Sequence, residues 1–158
     1  MSLTDNITFF RDLSRGEQIE NFVLSIIQEK YPEAYKKKGY FKDYDLYIPE
    51  IEKSVEVKSD EKSKHTGNIV VEIEFDGKPS ALSTTKADYW VWYDGELLCW
   101  FTVDDIHRCL KDTKTPLREF VGKGDTKSKK AYLVKKTDLY KYAIKQNKAN
   151  LLFNHATN

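Results

Sequence analysis

An α/β fold is predicted for this chain by three observations. An amphipathic helical pattern opens the sequence, short runs of period-two alternation come next, and a second helical pattern falls between such runs. Helix, hairpin, strand, helix and further strands in that order describe a central mixed β-sheet flanked by helices. At 158 residues the chain is expected to form one domain, 1–158, large enough to bury a core.

The opening pattern has two parts. Ser14-Arg15-Gly16-Glu17 matches a capping box, with serine at the cap and glutamate three residues on. Behind it Ile19, Phe22, Val23, Ile26 and Ile27 recur at helical spacing until Pro32, predicting a helix from about Arg15 to Tyr31. A shorter helix is expected over Asp5 to Leu13. Glu17 has a structural task as the cap partner. Glu20 borders the apolar stripe, so it lies either on a solvated helix edge or along the seam between helix and sheet. Lys36-Lys37-Lys38-Gly39 then reads as a basic turn leading into the first strand.

The stretch DYDLYIPEIEKSVEVK carries the chemistry. Leu46 and Ile48 alternate with Asp45 and Tyr47 before Pro49, and Val55 and Val57 alternate with Glu56 and Lys58 after it. Glu56 and Lys58 therefore share one face of their strand. A hairpin through Ile48 to Glu52 brings Asp45 beside Glu56. Two carboxylates and an ammonium at a sheet edge suit a hard cation, since Mg²⁺ takes oxygen ligands and pairs with phosphate. Alternating charges on an outer strand face are also the ordinary look of a solvated sheet.

Beyond it, polar Ser59 to Asn68, with Lys62, Lys64 and His65, is read as a loop, either a solvated connection or a segment over a polyanion. Ile69, Val71, Ile73 and Phe75 form one face of a third strand, with Val70, Glu72 and Glu74 opposite, and Asp76-Gly77 signals a turn. Lys78 to Ala87 is dense in hydroxyls and carries Lys86. It is either a phosphate-positioning segment or a capped turn whose Ser and Thr satisfy backbone groups. Asp88 to Tyr93 and Glu96 to Phe101 are strands about Asp94-Gly95. Asp104 or Thr102 caps a helix through Ile106 and Leu110. Ala131 to Val134 is expected to be an edge strand, and Thr137 to cap a last helix carrying Leu139, Tyr140 and Ile144.

Composition bounds the partners. With 26 basic and 25 acidic residues the formal net charge is +1, so a nucleic-acid surface must be local. Lys123, Lys127, Lys129, Lys130, Lys135 and Lys136 face only Asp125, and form either a phosphate-backbone contact or a solubilising loop. No apolar run approaches the roughly 18 residues of a membrane span, and no signal-peptide pattern opens the sequence. Cys99 and Cys109 have no metal spacing and fit a reducing cytoplasm; His65, His107 and His155 are too scattered for a zinc site.

Taken together, Gly16-x-x-x-Glu20, Tyr44-Asp45-Leu46, Val55-Glu56-Val57-Lys58 and the run Thr66 to Tyr93 resemble the PD-(D/E)xK nuclease superfamily, which includes restriction endonucleases and Holliday junction resolvases. The likeness spans Ser14 to about Phe101 and departs from the family pattern in lacking a proline before Asp45; Asp43 is a rival for that position. The resemblance implies a restriction-endonuclease-like core. It implies that Asp45, Glu56 and the Val57 carbonyl bind Mg²⁺, for which Mn²⁺ substitutes, with Glu20 holding a water on that ion or a second ion. It implies that Lys58 orients or deprotonates the attacking water or stabilises phosphate charge. Lys62, Lys64, Lys86, Lys123, Lys127, Lys129 and Lys130 would then contact DNA. A metal-dependent DNA endonuclease, structure-directed or weakly sequence-specific and pairing as a symmetric dimer, is the function expected. The rivals are a non-catalytic nucleic-acid-binding or regulatory module that keeps the fold, and a protein-interaction domain with a salt-bridged sheet face.

Overall fold

The computed structural model describes residues 3–39, 43–122 and 124–149, and within it the side chains from residue 15 onward. Its first element is one helix, α1 (Leu3–Gln28). The two N-terminal helices expected from the sequence are thus continuous, and Ser14 lies inside α1 rather than at its cap. A capping contact stabilises by only about 1 kcal/mol. With no proline between Asp5 and Gln28, propagating the helix retains a backbone hydrogen bond at every residue instead.

Among the described residues ten strands form two sheets. The first has the order β1 (Tyr35–Lys36), β2 (Leu46–Ile48), β3 (Lys53–Ser59), β6 (Tyr89–Tyr93), β7 (Leu97–Thr102), β10 (Lys145–Lys148). It is mixed: β3 and β6 run parallel, the other neighbours antiparallel. The second, entirely antiparallel, has the order β5 (Lys78–Pro79), β4 (Asn68–Phe75), β9 (Ser128–Lys135), β8 (Leu117–Val121). The crossover between β3 and β6 carries the short helical turn α2 (Ser63–Thr66), then β4, β5 and a 3-10 turn, Ala81–Ser83. Both central residues of the Asp76-Gly77 turn have positive φ, 51° and 76°, the geometry that a tight Asp-Gly hairpin requires.

The first sheet is covered on both faces. On one, Ile19, Val23 and Ile27 of α1 pack against Leu46, Ile48, Val55 and Val91. On the other, Trp90, Trp92 and Phe101 pack against Ile69, Val71 and Val134 of the second sheet and Ile106 of α3 (Val103–Asp112). Helix α3 starts at a true capping box, Thr102 with Asp105, as one of the two predicted caps. Buried Asp94 ties the β6–β7 turn to the segment just after β9: it accepts from the N–H groups of Glu96 and Leu97, from the Tyr140 hydroxyl at 2.6 Å and from Lys136 Nζ at 2.9 Å. Burial pushes the thiols of Cys99 and Cys109 up to about 12 and about 11, which leaves both protonated and unreactive. Among the described residues, no helix is long and apolar enough to cross a membrane.

Two expectations near the C-terminal end are corrected. The strand expected at the edge over Ala131–Val134 is the middle of β9, which has neighbours on both sides. The final helix is one turn, α4 (Lys136–Leu139), with Lys135 at the N-cap position, no side-chain cap and Thr137 inside it, followed by a 3-10 turn, Tyr140–Tyr142; Ile144 is 57% exposed. The polar strand β10, Lys-Gln-Asn-Lys, carries no apolar alternation, because an edge strand needs only its backbone hydrogen bonds to β7.

Candidate active site

The β2–β3 hairpin is built around Pro49, which starts a 3-10 turn over Pro49–Ile51, and Glu52, whose φ of 53° reverses the chain. Its register sets Leu46 opposite Val55, and the Asp45 N–H donates to the Val55 carbonyl at 3.0 Å. Asp45 thus lies just past the last rung, and its carboxylate comes close enough to Glu56 to repel it. The ladder stops at Leu46, and the Val57 N–H beyond the last rung donates to Asp45 Oδ2 at 2.8 Å. That bond folds the Asp45 carboxylate back over β3.

On the same face of β3, Lys58 Nζ lies 3.6 Å from Glu56 Oε1. It also stands 5.1 Å from the centre of the Trp90 ring, within reach of a cation–π attraction. The Glu56 carboxyl is raised from its ordinary 4.5 to about 7: burial disfavours its charge, the neighbouring Asp45 carboxylate adds repulsion, and Lys58 offsets them only in part. Asp45, just before β2, is thus brought beside Glu56 and Lys58 of β3. Glu56 and Lys58 open on a cavity of about 150 Å³ lined by Ala81, Thr84, Thr85 and Trp90. A larger cleft, about 570 Å³, lies on the other side of Asp45, lined also by Glu17, Glu20, Tyr44 and Lys36 to Gly39.

Glu20 shares the larger cleft with Asp45 but does not line the cavity of Glu56 and Lys58. Helix α1 covers the sheet face that carries Val55, whereas Glu56 and Lys58 lie on the opposite face with Trp90. Lys36 of the edge strand β1 pairs with the Glu20 carboxylate at 3.0 Å. Glu17 lines the same cleft. Among the described residues no three His, Cys, Asp or Glu side chains form a group able to hold a metal ion. Asp45 and Glu56 form a two-carboxylate oxygen pair, a donor set that suits Mg²⁺, which binds through one or two carboxylates together with substrate phosphate.

The lysines divide by location. Lys62, Lys64 and Lys86 are exposed, Lys86 immediately after Thr85 at the cavity, and Lys64 is 3.8 Å from Glu96. Those of β9 and the turn before it face acids of β4 and its hairpin, Lys127 with Asp76 at 3.0 Å, Lys129 with Glu72 at 3.7 Å and Lys130 with Glu74 at 3.4 Å, and Lys129 also meets Asp125 of its own turn at 3.3 Å. The strongly positive patch expected there is in large part neutralised, because the antiparallel register sets the acidic strand beside the basic one. Lys123 lies outside the described residues.

Sequence reasoning misses several residues of the site. Lys36, Lys37 and Lys38, which read as a turn, line the cleft beside Asp45. Trp90, which reads as an apolar strand residue, floors the cavity, and Thr84 and Thr85 wall it. The hydroxyl density of Lys78 to Ala87 is the one signal that points to the threonines; part of that density is structural, since Ser80 Oγ donates to Glu72 at 2.8 Å. Comparison of the chain with protein-family models, curated proteins and solved structures found no match.

Proposed function

We propose that this chain is a metal-dependent DNA endonuclease of the PD-(D/E)xK type with a restriction-endonuclease-like core. The observation that carries the reading is the convergence of Asp45, Glu56 and Lys58 at the end of a two-strand ladder, beside a cavity. Asp45 and Glu56, with the Val57 carbonyl, are the residues that would hold the ion. A divalent cation at this place supplies water activated at neutral pH and counter-charge for the phosphate. Asp45 is oriented by the Val57 N–H. Lys58 places a fixed positive charge where negative charge gathers during phosphodiester hydrolysis, and the Trp90 face beneath it keeps that charge partly desolvated and so stronger. The exposed lysines Lys62 and Lys86, the latter next in sequence to Thr85, track the DNA backbone without reading sequence, which makes the enzyme structure-directed or weakly specific.

The test is incubation with linear, nicked, flapped and four-way DNA in Mg²⁺ or Mn²⁺. Asp45→Asn and Lys58→Ala should each lower the cleavage rate by about a hundredfold or more. If the wild type and both variants cut equally little, catalysis is rejected. Size-exclusion chromatography on a four-way junction tests the proposed dimer.

A second reading is favoured by one observation: Glu20 and Glu56 already have internal cationic partners, Lys36 and Lys58. A non-catalytic nucleic-acid-binding module would keep this arrangement. DNA binding that persists in EDTA, with no cleavage in any metal, selects it.

A further inference from the structure

We propose that Thr85 is a further substrate-contacting residue, whose hydroxyl donates into the cavity beside Lys58 to a non-bridging oxygen of a phosphodiester. The inference rests on the reading that this cavity receives a nucleic-acid phosphate. Thr85 Oγ1 accepts the indole N–H of Trp90 at 3.0 Å and the Ala87 N–H at 3.2 Å. A hydroxyl has two lone pairs and one proton. With both lone pairs engaged, the proton is what Thr85 has left to offer, and the residue lines the cavity with Glu56 and Lys58.

The hydroxyl is held in place. Trp90 is 1% exposed, so its indole is fixed by the core, and the same ring carries Lys58 on its face. One buried side chain thereby positions a charge and a hydroxyl donor at one cavity. The Thr85 backbone is anchored as well, its N–H donating to the Ala81 carbonyl at 2.9 Å. Ala81 itself has a φ of 44°, a left-handed conformation that non-glycine residues adopt at a cost and that concentrates at functional sites.

The ligand class is set by the donors. An ammonium and an O–H together suit an acceptor-only anion, and a phosphodiester oxygen is one. A cavity of about 150 Å³ has the volume of roughly five waters, enough for one phosphate group with some of its hydration. The alternative, that Thr85 serves only as the acceptor for the Trp90 indole, predicts no effect on binding beyond the loss of stability.

The experiment uses the full chain and a fluorescein-labelled thymidine oligonucleotide, with anisotropy read in EDTA. Thr85→Val should weaken binding about tenfold, the scale of one hydrogen bond to a charged group, while Thr85→Ser stays within about twofold of wild type. Equal affinity of all three proteins overturns the inference. Because Thr85→Val also strips Trp90 of its acceptor and can unfold the chain, a wild-type measurement stands beside it. A proton donated from Thr85 to an anion makes Oγ1 a better acceptor, so the oligonucleotide should move the Trp90 indole N–H resonance downfield. A Trp90 signal that stays still while DNA binds also overturns it. Cleavage assays in Mg²⁺ separate the two proposals. Wild-type cleavage with Thr85→Val unaltered rejects the role of Thr85 alone; Thr85-dependent binding without cleavage in any metal rejects the nuclease and leaves the phosphate site.

Discussion

Glu56 has a side chain 19% exposed between one negative and one positive neighbour, and its carboxyl titrates near 7. In the unfolded chain the same group loses its proton near 4.5, so between about pH 4.5 and 7 the folded state binds more protons than the unfolded one. Stability of the metal-free protein therefore falls as pH rises through that window. Glu56→Gln keeps the shape without the charge, and it should unfold at higher urea than wild type at pH 8, by about 2–3 kcal/mol, with the difference vanishing near pH 4. Equal urea midpoints at pH 8 would mean that Glu56 ionises freely in the fold. The repulsion from Asp45 that raises this group is also what a bound cation would relieve.

Helix α1 is decided by propagation along its whole length rather than by a local start signal. Gly16 sits inside it, and a Cβ added there meets nothing within 4 Å. Gly16→Ala should therefore stabilise the fold by about 1 kcal/mol, read as a higher melting temperature. An unchanged melting temperature would restore a break at Ser14–Glu17. The β2–β3 hairpin was legible because alternation on both sides of Pro49 fixes its faces. The β4–β9 ladder was not, since Glu72 and Glu74 meet Lys129 and Lys130 only through a register between strands far apart in sequence.

That ladder changes the electrostatics of the whole molecule. Ammonium groups already facing carboxylates release fewer counterions when DNA arrives than exposed ones do. Replacing Lys62 or Lys86 with alanine should each reduce the salt slope of DNA affinity by about 1, and replacing Lys127 or Lys130 by less than half as much. Equal slopes for both pairs would put the β9 lysines back on the proposed DNA surface. The two layers around the first sheet have a similar consequence: α1 covers the face that carries Val55, and the second sheet and α3 enclose the other around Trp90. Glu56 and Lys58 consequently lie on the face away from α1, whereas Asp45 also lines the cleft with Glu17 and Glu20 of α1.

Period-two alternation made the shared face of Glu56 and Lys58 readable in the sequence, because side-chain direction along a strand is a local property, and the turn signal at Pro49 made readable the hairpin that brings Asp45 to them. The coarse α/β order was readable for the same reason, each element announcing itself by its own period. What Glu20, Thr85 and the β9 lysines face was settled only by packing. Glu20 meets Lys36 of an edge strand, Thr85 meets an indole at a crossover's end, and the lysines meet carboxylates through strand register. Each of these partnerships is made by tertiary packing, and no local pattern of charge or hydropathy encodes which side chains the packing will bring face to face.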